Sequence, residues 1–441
     1  MVATEEILRA RLAVAVLTRD RPERLKESLH AATLALQGAD GAILVINNGT
    51  RPVPAPRHTG GIACRVVNTG ANLGVAARNL ALSNTDAEFL LMIDDDAAVP
   101  PSAGKDLMAA FAAVPRAGAV AFRVHGPFGE EACLLPSVFH GCACAFRTTA
   151  LRAIGGYPED FGYYGEEYDI AFRLYTAGYR ILQMDRDGGV RHLRDPSGRS
   201  PDRIVSRLIR NNTRLWCSSL PAHQVWPAIR DTVWRYYLVA RRERAVRGFM
   251  HGCLGLPSAA LRGLKRRRPM AAPCCASVTL ADKVRSAALR LRASGIQHVV
   301  VCGVGKFPSL WIRILRLAGL LPVAFWDRNP CWKGRSVAGI PVVVVEPGPS
   351  AGTHPNAGNT TAWLTGTSSQ TDNATWEAAL RAMGLDCRPS APREATSASP
   401  GTIDLLDSAE IRCFLPIPPN PWAPGGHLTR WHRPCFALPQ T

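Results

Sequence analysis

Two clusters of acidic residues could do chemistry in this chain. In FLLMIDDDAAVP, Phe89–Pro100, five apolar residues run straight into three consecutive aspartates. Further on, Glu166, Glu167 and Asp169 lead a segment whose apolar positions include Ile170, Phe172 and Leu174. A single Asp at a strand end is explained by capping of the next helix. Acids in a first helical turn suit the helix dipole in the same way. Three adjacent carboxylates repel one another, however, and a hard divalent cation with oxygen ligands would neutralise them. With both clusters at element boundaries, one can hold a cation while the other supplies a general base. His192, just ahead of the polar run RDPSGRS, follows another apolar-to-polar transition and is either a further contact or a structural histidine.

The elements that would position these groups follow from the hydrophobic pattern. Strands are predicted at Leu12–Leu17, Ala42–Ile46, Cys64–Val67 and Phe89–Ile93, with an amphipathic helix from Leu25 to Leu36. Each strand runs into a polar loop, among them TRDR, NNGT and the triple Asp. Strands alternating with helices predict a parallel α/β sheet with its site at the carboxyl ends of the strands. After Trp216 the pattern turns helical and basic. A second α/β rhythm starts near Ala281, with strands at His298–Cys302, Leu321–Trp326 and Pro341–Val345 and a helix at Ser309–Ala318. A further strand–helix pair is predicted at Thr361–Thr365 and Trp376–Met383. The resulting division is a catalytic unit over 1–225, a basic helical connector over 226–280 and a smaller α/β unit over 281–388. A Pro-, Gly- and Ser-rich tail over 389–441 is expected to be poorly ordered.

Composition narrows the classes. With 441 residues and 47% hydrophobic content, the chain can build more than one core. Its net charge of +17 concentrates in Arg235–Arg268, where Arg241, Arg242, Arg244, Arg247, Arg262, Lys265, Arg266, Arg267 and Arg268 face one acid, Glu243. Interleaved aromatic and aliphatic residues make this stretch a candidate for an anionic membrane surface. It is otherwise a solvated helical face, and nucleic acid is not expected because no nucleic-acid fold signature accompanies the charge. The start, MVATEEILRARLAV, predicts no signal peptide, and no run is long enough to span a bilayer. The expected location is cytoplasmic, with the basic stretch a candidate contact to the inner face of the membrane. The 13 cysteines include no CxxC pair, and Cys142 and Cys144 alternate with apolar residues as small core hydrophobes.

Five motifs in order carry a resemblance to a known family: TRDRPERL at Thr18–Leu25, VINNGT at Val45–Thr50, NLGVAARN at Asn72–Asn79, IDDD at Ile93–Asp96 and GEEYDIAFRL from Gly165. From about Leu12 to Asn212 the chain resembles a family 2 glycosyltransferase of the glycosyltransferase A fold, near its rhamnosyltransferase-like members. The resemblance implies a nucleotide-sugar donor, an acceptor that is a carbohydrate or lipid-linked, and a divalent cation, Mn²⁺ or Mg²⁺. It places Asp96 as metal ligand with Asp94 between metal and ribose, and His192 as a third metal or diphosphate contact. Thr18, Arg21, Asn47, Asn72, Gly74, Arg78 and Asn79 fall on its nucleotide-sugar positions. Glu167 stands where the family's catalytic Asp is usual, with Glu166 and Asp169 the other candidates for the base. Asn47 replaces the Asp that usually meets the nucleotide base, and Asp20 stands where Asn is usual. The implied reaction is an inverting transfer from a UDP- or dTDP-sugar to an acceptor hydroxyl, in glycan, cell-surface polysaccharide or glycosylated metabolite synthesis.

In the second half, HVVVCGVGKFP followed by the strand ending in Asp327 resembles a Rossmann-type nucleotide unit. Gly303 and Gly305 fit its tight turn, and Asp327 falls near its ribose-contact position. Pro308 replaces the third glycine, so a scaffolding role competes with nucleotide binding. Two other functions share these features. A sugar-phosphate nucleotidylyltransferase needs a Gly-rich loop after the first strand, which Thr18–Arg24 lacks. A sugar-nucleotide sensor or scaffold would keep the binding residues without the transfer.

Overall fold

The computed structural model describes residues 7–345 apart from 54–57, 128, 132, 136, 185–188 and 194–199, together with strands at 361–367, 387–389, 397–399, 402–404 and 410–416. The helix expected over Trp376–Met383 and most of the RDPSGRS loop lie outside the described residues.

A run of small and branched apolar residues makes Leu12–Thr18 a strand buried along its whole length, as expected of a central parallel strand. It pairs in parallel with Gly41–Asn47 on one side and Phe89–Asp94 on the other. Ile62–Asn68 continues the parallel order beyond Gly41–Asn47. The wholly parallel sheet expected from the sequence is not what forms. Ala143–Arg147 is inserted antiparallel between Phe89–Asp94 and Ala117–Ala121, so the sheet is mixed. Its three small residues and one Phe, buried ahead of the final Arg147, carry no mark of strand direction. Arg180–Met184 follows in parallel to Ala117–Ala121, and the short strands 402–404 and 397–399 close that edge. These, with 410–416, are strands within a tail where the sequence predicts poor order. Two apolar clusters cover the two faces of this sheet, one built around Phe146, Phe172 and Trp216 and the other around Leu36, Ile43 and Phe111.

A small four-stranded sheet crosses the carboxyl ends of the main strands. Ala97–Ala98, directly after the aspartates, pairs antiparallel with Val190–His192. Val190–His192 pairs in turn with Val124–Gly126, and that strand with Gly129–Glu131. Through this pairing His192 and Glu131 are carried to the aspartates from distant parts of the chain.

Helices Pro201–Ser219 and Ala222–Arg242 then lead to two short helices, Val246–Leu254 and Leu256–Lys265. A second sheet holds His298–Cys302 in parallel between Leu321–Asp327 and Thr361–Thr367, with Ile340–Val344 beside Leu321–Asp327. No helix among the described residues is long and apolar enough to cross a membrane.

Candidate active site

Each of the three aspartates meets a cation. Asp94, at the end of its strand, pairs with the buried Arg78 guanidinium. Asp95 is fully buried and accepts the Thr18 hydroxyl at 2.7 Å, while Arg21 Nη2 lies 2.7 Å from its other oxygen. Burial pushes the Asp95 carboxyl up to about 6 despite Arg21 and Thr18, which favour its charged form. Asp96 is also buried, with Arg21 Nη1 at 3.4 Å and His192 Nε2 at 3.5 Å. Asp95 therefore ties the first strand to Arg21, while Asp94 and Asp96 line the cavity in front of the sheet.

Around His192 the structure adds two residues that sequence reasoning missed. His192 Nδ1 lies 2.9 Å from Glu131 Oε2, and His140 Nε2 lies 3.2 Å from the same oxygen. Burial disfavours the imidazolium, but the hydrogen bonds to Asp96 and Glu131 outweigh it, and the His192 pKa is raised. Glu131 lies in a strand of three residues and His140 in an irregular loop, so no periodicity marks either. An acid and a histidine in so short a polar stretch are the only signal.

The nucleotide-side wall is built around Asn48, a buried residue the sequence reading passed over. Its Nδ2 donates to Gly74 O at 3.0 Å, to Asn72 Oδ1 at 3.2 Å and to Tyr163 Oη at 3.0 Å. Its Oδ1 accepts from Leu73 N at 2.7 Å. Gly74 has φ +66°, and a Cβ there would overlap the Gly162 carbonyl, so the turn needs glycine. Asp20, at φ +56°, takes a left-handed backbone that Asp and Asn both tolerate. Thr18, Arg21, Asn72 and Arg78 line the cavity. Asn79 and Asn47 are committed elsewhere. Asn79 clamps Tyr157, donating to its carbonyl at 2.9 Å and accepting its N–H at 2.7 Å. Asn47 donates to Arg51 O and Asn68 Oδ1 at 2.7 Å each and accepts from Gly49 N at 3.2 Å. Its amide is used on both sides within the chain.

Another part of the site carries the second acidic cluster. Glu166 and Glu167 open the helix Glu166–Thr176, behind Gly165 at φ +90°. Asn211 Nδ2 lies within hydrogen-bond reach of the carbonyls of Phe161, Tyr163 and Tyr164, fixing the loop that leads into the helix. Both glutamates line the cavity. Burial, and next the charge of Glu167, push the Glu166 carboxyl up to about 8. Burial also raises Glu167, with Lys306 among the groups favouring its charged form. Asp169 is one turn further along, joined to Arg173, and does not line the cavity.

One cavity, of about 650 Å³, is lined by Asp94, Asp96, His192, Glu166 and Glu167 together. Its lining includes Lys306, from the GVGKFP turn of the second sheet. Gly303 and Gly305, at φ +87° and +58°, allow that turn. Asp327 Oδ2 accepts from Val304 N at 2.8 Å and its Oδ1 from Asn329 N at 2.8 Å. The Gly305 carbonyl accepts from Arg235. The three positions expected at a nucleotide site are thus engaged in holding their own turn.

As a donor set, the Asp94 and Asp96 carboxylates with the His192 imidazole suit a hard or borderline divalent cation. Among the described residues no group of three or more His, Cys, Asp or Glu side chains is arranged to hold one, and Arg21 and His192 neutralise Asp96.

Comparison with known proteins bears on the whole of this unit. The family described as "Glycosyl transferase family 2" matches residues 13–155, and the one described as "Glycosyl transferase family group 2" matches residues 118–326. No curated protein sequence matches the chain. Among solved structures, TarS 1-349 of S. aureus is 13% identical, with a TM-score of 0.41 over 70% of this chain and 90% of that one. TarS 1-349 in complex with UDP-GlcNAc gives 13% and 0.40 over the same shares. The mannosyltransferase PcManGT of Pyrobaculum calidifontis, in complex with GDP-Man and Mn²⁺, is 18% identical, with 0.36 over 71% and 87%. Likenesses at these scores carry no weight on their own. The two family matches, which run through the strand-end aspartates and the Glu166–Glu167 helix, do: the chain belongs to the family 2 glycosyltransferases and is an α/β protein of the glycosyltransferase A type.

Proposed function

We propose that this glycosyltransferase moves a sugar, with inversion, from a nucleoside-diphosphate donor to an acceptor hydroxyl, with Glu167 as the general base. The observation that supports it is that Asp94 and Asp96 line the same cavity as Glu166 and Glu167. Transfer needs a seat for a leaving diphosphate and, opposite it, a carboxylate within reach of the attacking hydroxyl. At neutral pH Glu166, pushed up to about 8, keeps its proton. Glu167 shares the cavity with Lys306, whose charge favours the ionised form of that carboxyl against the effect of burial. Asp94, Asp96 and His192 would hold a divalent cation. Bound there, Mn²⁺ or Mg²⁺ supplies Lewis-acid stabilisation of the departing diphosphate. Arg21 and Arg78, already paired with the aspartates, are placed to take up the donor's negative charge. With Asn47 committed within the chain, preference for a uracil or thymine base is assigned to other contacts.

A panel of UDP-, dTDP- and GDP-sugars, each with and without Mn²⁺, tests this through thermal unfolding and nucleoside-diphosphate release. The matching donor at a hundred times its Kd stabilises the fold by about 2.7 kcal/mol. Absence of both stabilisation and release across the panel would sink the reading.

We also propose that the acceptor is met at an anionic membrane surface. Helices Val246–Leu254 and Leu256–Lys265 pack on Pro201–Ser219 through small residues, Gly248, Gly252, Ala259 and Gly263. Their large apolar residues Met250, Leu254, Leu261 and Leu264 face outward, from 52% to 77% exposed, amid exposed Arg241, Arg242, Arg244, Arg247, Arg262 and Lys265. Apolar side chains ringed by cations suit insertion below anionic headgroups. Vesicles containing phosphatidylglycerol should carry the protein on flotation, and pure phosphatidylcholine should not. Removing two inserted leucines, L254S/L261S, should weaken partitioning by about two to three orders of magnitude, at roughly 2 kcal/mol each. No flotation would return the stretch to a solvated face.

A further inference from the structure

Lys306 stands out among the groups that the transfer chemistry leaves unassigned. It is nine-tenths buried, with its Nζ 4.4 Å from the centre of the Tyr168 ring and 5.5 Å from that of Trp216. It lines the same cavity as the aspartates and glutamates, and no hydrogen bond or ion pair is made to it among the described residues. A buried ammonium without a carboxylate contact is costly, so a use must offset it. Tyr168 follows Glu167 in the chain, and both glutamates share the cavity with Lys306.

The turn that carries Lys306 is anchored at several points. Asp327 holds the Val304 N–H, and Arg235 of helix Ala222–Arg242 donates to the Gly305 carbonyl. Phe307 packs edge-on against Trp216 with ring centres 5.0 Å apart. Ser309 is held by Asp231, through its N–H at 3.1 Å and its hydroxyl at 2.5 Å. A glycine-rich turn of this kind can cradle a phosphate, yet here its backbone is spent on fixing one side chain.

We propose that Lys306 is a positioning residue of the transfer reaction, supplied by the second sheet to the cavity of the first as the counter-charge of the Glu167 carboxylate. This rests on Glu167 as the base. The groups facing the pair are Glu166 and Tyr168 on the same helix as Glu167, Arg78 from the turn over 74–79, Cys133 on the segment after strand Gly129–Glu131, and Arg235 and Tyr236 on helix Ala222–Arg242. Of these, Arg78 and Arg235 are cations. Burial, with the Arg235 charge next, lowers Lys306 to about 7, and the Glu167 charge works against that. The Lys306 and Glu167 charges each favour the ionised form of the other against burial.

The test uses the full chain labelled with ¹³C at the glutamate carboxyl, with Glu167→Gln to assign the Glu167 resonance. In Lys306→Met the Glu167 midpoint should move up by about one pH unit or more, because a nearby cation is lost. Lys306→Arg should restore most of the original midpoint. Lys306→Gln serves the same purpose if the Met variant does not fold. An unchanged midpoint in the neutral variants, or an equal shift in Lys306→Arg, would overturn the proposal. Nucleoside-diphosphate release with the donor found in the panel gives the second readout. In the neutral variants the acid limb of kcat/KM should move alkaline by the same amount, with acceptor KM held. A rise in acceptor KM with the limb unmoved would show instead that Lys306 binds an anionic group of the acceptor, and would overturn the proposal. If the midpoint shifts but Glu167→Gln releases nucleoside diphosphate at the normal rate, the charge pair stands and the assignment of the base fails.

Discussion

Replacing Glu167 by Gln is expected to lower kcat by about 10²–10⁴-fold at every pH, with donor binding retained. The amide is nearly isosteric but takes up no proton from the acceptor hydroxyl. Glu166→Gln is the control, and should retain most of the activity if Glu166 serves as the protonated neighbour. The two variants also differ in stability. Glu166 ionises at about 8 in the fold, against a usual 4.5, with burial the first cause and the Glu167 charge the second. A raised carboxyl favours the fold in its protonated form. That contribution is whole below about 4.5 and is lost as pH rises to about 8. Unfolding midpoints should therefore fall between pH 5 and 8 in the native protein and fall less in Glu166→Gln. Full activity in Glu167→Gln, with loss in Glu166→Gln, would transfer the role of base to Glu166.

Asp96→Ala is expected to reduce transfer by about a hundredfold or more, roughly 3 kcal/mol of leaving-group stabilisation. Calorimetry gives the clearer measure. UDP or dTDP should bind the native protein more tightly with Mn²⁺ than without, and Asp96→Ala should bind equally in both. The variant should remain folded, since Thr18 and Arg21 are held by the neighbouring Asp95. His192, with Asp96 gone, keeps Glu131 as its remaining carboxylate at 2.9 Å. Its pKa should fall, and the imidazolium should be lost at lower pH than in the native protein. Metal-dependent binding that survives the substitution would remove Asp96 from the ligand set.

How much of this was legible follows from where the signals lie. The Asp94–Asp96 and Glu166–Glu167 clusters are visible because each breaks an apolar run at an element boundary. Their meeting in one cavity accords with the family resemblance, the aspartates ending a strand and the glutamates opening a helix. The direction of Ala143–Arg147 was not legible, because a buried strand reads the same either way. Asn48 was hidden by its neighbour: Asn47 occupies the recognised motif position, yet it is Asn48 that organises the wall through four hydrogen bonds. Glu131 sits in a three-residue strand and His140 in an irregular loop, and only the folded chain brings both against His192 and each other. Lys306 was visible only as part of a glycine-rich turn, where the glycines and Asp327 drew the assignment and the lysine drew none. The turn forms as the pattern predicts, with glycines at positive φ, but its backbone contacts are internal and the Lys306 side chain lines the cavity that holds the glutamates. Asp327 shows the same thing, its position matching a ribose-binding acid while its oxygens cap the turn.

The packing of Phe307 on Trp216 has a consequence for truncation. Trp216 is fully buried, and the ring of Phe172 approaches it from the main sheet's helix layer while that of Phe307 approaches from the GVGKFP turn. A fragment ending before Gly303 would lose the Phe307 ring from Trp216 and Lys306 from the cavity lining, so a shortened chain is expected to keep the aspartates and glutamates yet lack one side of the chamber that encloses them.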